Sequence, residues 1–195
     1  MVTASSFLDF VDGKPQIRRF TRKEYHALID AGVLTEDEKV ELIDGVVLTM
    51  SPQGPDHSRT VGRLNKHLLP PLLDRAEILV HSPFAASEDD EPEPDLLIFA
   101  LDTDESDHPT RAHCAIEVSV TSQARDRSKV NTYARAAVPQ LILIDVPKRE
   151  ARVFRGLRSG EYGLIEIVRE GTPIVIDAFP DVSFDLASVL PKATT

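Results

Sequence analysis

The sequence predicts an α/β fold with an antiparallel edge or appended meander. Three observations predict it. Residues 114–120, 127–137 and 141–144 read as strand, helix and strand, a spacing that implies a right-handed crossover between parallel strands. The run Leu141-Ile142-Leu143-Ile144 is continuously apolar, as in a strand covered on both faces. Residues 151–155, 162–168 and 172–176 then form a β-rich tail with no helical signal between them.

Each element has a local cause. Residues 1–17 lack periodicity and read as a loose lead-in. Thr21-Arg22-Lys23-Glu24 is a capping-box pattern, in which a hydroxyl and a carboxylate three residues on satisfy each other's backbone amides. Tyr25, Leu28 and Ile29 follow at helical spacing, and Ala31-Gly32 marks the stop. Residues 40–50 predict a hairpin, because Asp44-Gly45 tolerates the positive φ of a two-residue turn. That register pairs Ile43 with Val46 and Glu41 with Leu48. Alternation sets Glu41 on the apolar face of Ile43, Val46 and Leu48, a costly place for a carboxylate. After a loop at 51–55, Asp56 is expected to cap a helix whose His57, Val61, Leu64 and Leu68 share one face. Pro70-Pro71 is expected to kink or end it.

Strands are expected at 78–80 and 96–101, separated by an acidic loop at 86–94. A second acidic loop, 102–107, leads to the strand at 114–120. The helix at 127–137 carries Val130, Tyr133, Ala134 and Ala137 on one stripe. Residues 185–190 read as a short terminal helix.

The 195 residues are read as one domain, 1–195, and an apolar content of 42% suffices for one core. No apolar run approaches the roughly 18–20 residues that cross a bilayer. The first twenty residues lack a basic region followed by an apolar one. The single cysteine, Cys114, lies in an apolar strand and is read as a small buried hydrophobe. A cytoplasmic protein without membrane contact is the expectation. A net charge of −10 argues against broad nucleic-acid binding, which rests on phosphate neutralisation. The charge is uneven, however. Residues 86–108 hold ten acids and no Lys or Arg, whereas residues 111–158 hold ten bases and four acids. The basic segment could meet a polyanion locally. The acidic stretch 88–93 lacks the glycine and spacing of a calcium loop and reads as solvated surface that repels non-cognate polyanions.

Chemistry is concentrated in two strands and the helix after them. Asp95 opens one apolar strand. Glu117 lies inside another, on a face with Ala115, Ser119 and Thr121 that leaves room for an ion and a water. Lys129 follows on the next helix. Buried carboxylates need a partner or a metal. Two of them, helped by the Val118 backbone carbonyl, would suit Mg²⁺ or Mn²⁺, which favour oxygen ligands. The metal would acidify a water for attack on a phosphodiester, and Lys129 would supply positive charge to the transition state. Singly, each residue has a plainer reading: Asp95 as the end of a loop, Glu117 in an arginine ion pair, Lys129 as a solvated helix residue, His57 as a hydrogen-bonded core residue.

Three stretches together resemble the Uma family of restriction endonucleases within the PD-(D/E)XK nuclease superfamily. They are Val40-Glu41-Leu42-Ile43-Asp44-Gly45-Val46-Val47 with Met50-Ser51-Pro52 and His57, then Glu93-Pro94-Asp95-Leu96, then Ile116-Glu117-Val118. Ser122, Arg125-Asp126-Arg127, Lys129, Tyr133-Ala134, Val138-Pro139 and Asp145 extend the match in order, over roughly residues 18 to 155. The resemblance implies a restriction-endonuclease-like mixed sheet flanked by helices, with additional antiparallel strands at the C-terminus. It implies metal-dependent hydrolysis of DNA, with Asp95 and Glu117 as metal carboxylates, Glu41 as auxiliary acid and Lys129 as the lysine of the site. Candidate substrate contacts are His57, Ser119, Ser122, Arg125 and Arg127. The sequence departs from the superfamily where a lysine is expected two residues after the second acid. Ser119 stands there, and Lys129 is expected to supply the charge from the helix. The family's aromatic pair after Val-Pro is replaced by Gln140-Leu141-Ile142. A homodimer would suit cleavage of two strands. The alternative is a catalytically inactive nuclease-fold module that binds nucleic acid or a protein; it predicts no stabilisation by Mg²⁺ or Mn²⁺. A hydrolase of another phosphoester is a third reading, separable by substrate competition.

Overall fold

The computed structural model describes residues 10–11, 14–15, 17–35, 37–101, 106–120 and 123–192, and of residues 10–11, 14–15 and 123–128 the backbone alone. Two short strands, β1 (Phe10–Val11) and β2 (Lys14–Pro15), pair within the predicted lead-in. Helix α1 (Arg22–Asp30) starts at the Thr21/Glu24 capping box and ends before Gly32, whose φ is 68°. The hairpin β3 (Val40–Ile43) and β4 (Val46–Thr49) has the expected register, Glu41 opposite Leu48 and Ile43 opposite Val46. Asp44 and Gly45 take φ of 50° and 68°, as a two-residue turn requires.

A six-stranded mixed sheet forms the centre. It contains β5 (Glu77–Val80), β6 (Leu96–Phe99), β7 (Cys114–Ser119), β8 (Gln140–Asp145), β9 (Glu150–Arg158) and β10 (Glu161–Arg169), in the spatial order β10-β9-β8-β7-β6-β5. Only β7 and β8 run parallel, joined by α3 (Gln123–Arg135); the other neighbours are antiparallel. The hairpin β11 (Ile174–Ile176) and β12 (Phe179–Phe184) and the helix α4 (Leu186–Val189), capped by Asp185, close the chain. Among the described residues no helix is long and apolar enough to cross a membrane.

Alternation along the strands sorts the core into two layers. Leu96, Ile98, Ile116, Val118, Ile142 and Ile144 face Val61, Leu64 and Leu68 of α2 (Pro55–Leu72). Leu97, Phe99, Ala115, Leu141 and Leu143 face Tyr133 of α3 and Val138. Each fully buried large apolar side chain contributes about 1.5–3 kcal/mol. Glu117 falls on the second face, towards α3.

Four expectations change. Gly54, not Asp56, caps α2; Pro55 fills its first turn, where no amide bond is lost, and Asp56 sits beside it near the positive end of the helix dipole. Pro70 and Pro71 fall in the last turn of the helix, which ends as expected beside them, at Leu72. Helix α3 starts earlier than expected and ends at Arg135; Ala137 lies past it, exposed, with φ 58°. The strand β12 pairs with β11 although no local signal marked it.

The fourth change concerns the acidic loop, which is solvated only in part, at Glu88 and Asp89. Asp90 and Glu91 are each 3% exposed. Asp90 accepts the Asp44 amide at 2.7 Å, the Thr132 hydroxyl at 3.3 Å, the Ser87 hydroxyl at 2.9 Å and the Arg135 guanidinium at 3.1 Å. Glu91 accepts Arg22 Nε at 2.6 Å, and its backbone bridges Leu42 in β3. Buried charge is tolerated here because cations and amides from distant segments converge on it. The loop therefore ties α1, the β3–β4 turn and α3 together. The second acidic loop falls partly outside the described residues, at 102–105.

Candidate active site

Asp95 stands immediately before β6, next to the edge strand β5, and Glu117 lies in the neighbouring β7. Pairing of β6 with β7 stops at Leu96 opposite Ile116. Beyond it the Val118 amide has no strand partner on that side and donates instead to Asp95 Oδ2 at 2.7 Å. The sheet thus opens at this point and leaves carboxylates on two neighbouring strands. Glu41, 5% exposed, enters from β3, and its Oε2 accepts the Glu93 amide at 3.3 Å. Lys129 comes from α3. Its Nζ lies 3.0 Å from Glu41 Oε2 and 3.1 Å from Glu117 Oε1. Tyr133, one helical turn on, donates its hydroxyl to Glu117 Oε1 at 2.6 Å. The i, i+4 spacing of Lys129 and Tyr133 sets both on the face of α3 that covers the sheet.

These groups border one cavity of about 310 Å³. Its lining includes Glu41, Asp95, Glu117, Val118, Ser119, Lys129 and His57. Seven of the residues singled out from the sequence are therefore brought together. Ser122 lies outside the described residues; Arg125 and Arg127 are on α3, with their side chains outside the description.

Electrostatics divides the acids. Burial opposes ionisation of Asp95, but the His57 and His81 imidazoles and the Val118 amide outweigh it and hold its carboxyl at about 2. Burial pushes Glu117 up to about 7, with Asp95 and Glu41 adding to the effect and Lys129 and Tyr133 opposing it. Burial also raises Glu93. Burial would pull the Lys129 ammonium down, yet Glu117 and Glu41 more than offset it and keep Lys129 charged. Burial and the Glu117 charge push the Tyr133 hydroxyl well above its ordinary value. Glu41 and Glu117 thus share one ammonium while Asp95 faces two imidazoles, and the carboxyl groups of the cavity outnumber its one lysine. Glu117 is paired with Lys129 rather than with an arginine.

Three participants were not singled out from the sequence as site residues. His81 lies just past β5, with Nε2 3.1 Å from Asp95 Oδ1. Glu93 lines the cavity and Tyr133 holds Glu117; in the sequence both stood in the family match without a role of their own. A single histidine after a short strand has no pattern to mark it; only the β5–β6 register reveals it. A second group of ligating side chains, His26, Glu91 and His108, lies elsewhere. There the Arg22 guanidinium already holds Glu91, and it would repel a cation.

The sequence matches the family Uma2, described as "Putative restriction endonuclease", over residues 22–187. The chain belongs to the Uma2 family. The fold of this Uma2 protein is similar to a crystal structure described as a "putative nuclease belonging to DUF820" from Anabaena variabilis. The two align with a TM-score of 0.66 at 17% identity, over 87% of this chain and 97% of the other. At that identity the likeness establishes the fold, a restriction-endonuclease-like mixed sheet flanked by helices with added antiparallel strands. No curated protein matches the Uma2 chain.

Proposed function

We propose that this protein is a divalent-metal-dependent endonuclease that hydrolyses DNA phosphodiester bonds. The observation that carries the reading is the meeting of Asp95, Glu117, Glu41 and Lys129 around one cavity, from four separate stretches of the chain. The donor set fits Mg²⁺ or Mn²⁺: two carboxylates on neighbouring strands, in a cavity whose acids outnumber its one lysine. The Val118 carbonyl adds a third oxygen, because in an extended strand a residue's carbonyl leaves on the same edge as its amide, and that amide faces Asp95. When bound, a divalent cation would acidify a water and offset charge on the scissile phosphate.

The protein's own groups then have distinct tasks. Asp95 and Glu117 would hold the cation. Lys129, kept charged by its two carboxylates, would offset negative charge building on the phosphate oxygens. Glu41 would fix the Lys129 ammonium, and Tyr133 would fix the Glu117 carboxylate, so that neither reorients as the reaction proceeds. His57 and Ser119 border the cavity where a phosphate would enter. Ser122, Arg125 and Arg127, on and just before the helix that carries Lys129, would meet the DNA backbone. Two copies of the chain would supply a cavity for each strand.

The test is cleavage of plasmid and single-stranded DNA in Mn²⁺ and in Mg²⁺, with Asp95→Ala, Glu117→Ala and Lys129→Ala alongside. Metal-dependent nicking that all three substitutions abolish is the expected result. Absence of cleavage, or cleavage that the variants retain, would sink the nuclease and favour a binding module of the same fold.

A further inference from the structure

Two imidazoles meet Asp95. The antiparallel register pairs Val80 of β5 with Leu96 of β6. His81 and Asp95 are the next cross-strand pair, joined by a His81 amide bond to the Asp95 carbonyl at 3.3 Å, and cross-strand partners share a face. His57 arrives from the first turn of α2. Its Nε2 lies 3.1 Å from Asp95 Oδ2 and 3.1 Å from Oδ1. The two rings stack at 5.9 Å with 19° between their planes. One ligating atom from each of the three residues lies within 4.8 Å of the others.

Hydrogen bonding accounts for this cluster only in part, through His57 Nε2 and the Val118 amide on Asp95 Oδ2. His81 Nε2 is 3.1 Å from Asp95 Oδ1 but lacks the alignment of a hydrogen bond. His81 Nε2 and His57 Nδ1 are the two buried side-chain polar atoms without a hydrogen-bond partner among the described residues. Buried polar atoms are nearly always paired, and a cation held beside Asp95 would give the His81 Nε2 lone pair its partner. Ligands at right angles around a small divalent cation, each ~2.1 Å from it, sit about 3 Å from one another. The nitrogen–oxygen separations here match that spacing.

We infer that His57, His81 and Asp95 form an imidazole-containing metal site that selects first-row transition cations over Mg²⁺. This choice of metal rests on the nuclease reading above, whose carboxylate Asp95 it shares. Nitrogen donors favour transition ions, whereas Mg²⁺ holds to oxygen and keeps its waters. Mn²⁺ is the probe.

The experiment is pulsed electron paramagnetic resonance of Mn²⁺ bound to the wild-type protein, with calorimetric titration of Mn²⁺ and of Mg²⁺ into wild type, His57→Ala and His81→Ala. His81→Gln serves if the alanine variant does not fold. Nitrogen modulation of the Mn²⁺ signal is expected. Each histidine substitution is expected to lower Mn²⁺ affinity about tenfold or more, with much less effect on Mg²⁺. A Mn²⁺ signal without nitrogen coupling, no Mn²⁺ binding, or an unchanged ratio of Mn²⁺ to Mg²⁺ affinity in both variants would overturn the site. Nitrogen coupling in a protein that cleaves no DNA would overturn the nuclease reading and leave the metal site standing. Cleavage by a protein with a nitrogen-free signal would overturn the metal site alone.

Discussion

The Lys129 ammonium lies 3.0 Å from the Glu41 carboxylate, which couples helix α3 to the β3–β4 hairpin across the cavity. Glu41 is 88 positions upstream, on a strand that otherwise presents apolar residues. The pair explains how that strand tolerates an acid and how a lysine from a helix can stand where the strand itself carries Ser119.

Removal of Lys129 should expose the dependence. Lys129→Met leaves Glu41 and Glu117 buried without their cation, and breaking a buried pair on one side costs about 3–5 kcal/mol. A second change, Glu41→Gln, should restore part of that loss. Urea unfolding followed by circular dichroism measures both. An unchanged midpoint for Lys129→Met would show that the acids do not need it.

Asp95 gives the metal-free protein an acid-sensitive term. Its folded carboxyl titrates at about 2, below its usual 3.8. The ionised form therefore stabilises the fold above pH about 4, and this contribution, about 2 kcal/mol, is lost as pH falls through 2. Asp95→Asn should flatten the fall in stability between pH 4 and 2. A wild-type slope in the variant would contradict the assignment.

The buried Asp90 should matter more than its place in an acidic loop implies. Asp90→Ala leaves the Asp44 amide, the Thr132 hydroxyl and the Arg135 guanidinium short of an acceptor. A loss of about 2–3 kcal/mol is expected, against under 0.5 kcal/mol for the exposed neighbour Asp89→Ala. Thermal unfolding of the two variants in parallel decides it; equal melting temperatures would return the loop to solvent.

Cys114 should be inert in the native state. It is fully buried in β7, and burial pushes its thiol well above the ordinary range, so little thiolate forms at pH 8. A chromogenic disulfide reagent should report no reactive thiol in buffer and one equivalent in urea. Rapid native labelling would mean that the central strand opens readily.

Elements specified by neighbouring residues were legible in the sequence. The capping box at Thr21 and Glu24, the Asp44-Gly45 turn and the β7–α3–β8 crossover depend on interactions within a few residues or on periodicity, and both survive in a one-dimensional reading. The site was legible in part: Asp95, Glu117 and Lys129 stand out as charges in or after apolar runs, and Glu41 as an acid on an apolar face. The tertiary structure alone decided how they meet. It also decided that Asp90 and Glu91 are buried, because their compensating groups, Arg22 and Arg135, lie far along the chain. His81 became part of the site only through the β5–β6 register, which carries no mark in the residues around it. Local hydrogen bonding and apolar spacing act over a few residues; the cost of burying a charge is settled by whichever distant groups the fold brings to it.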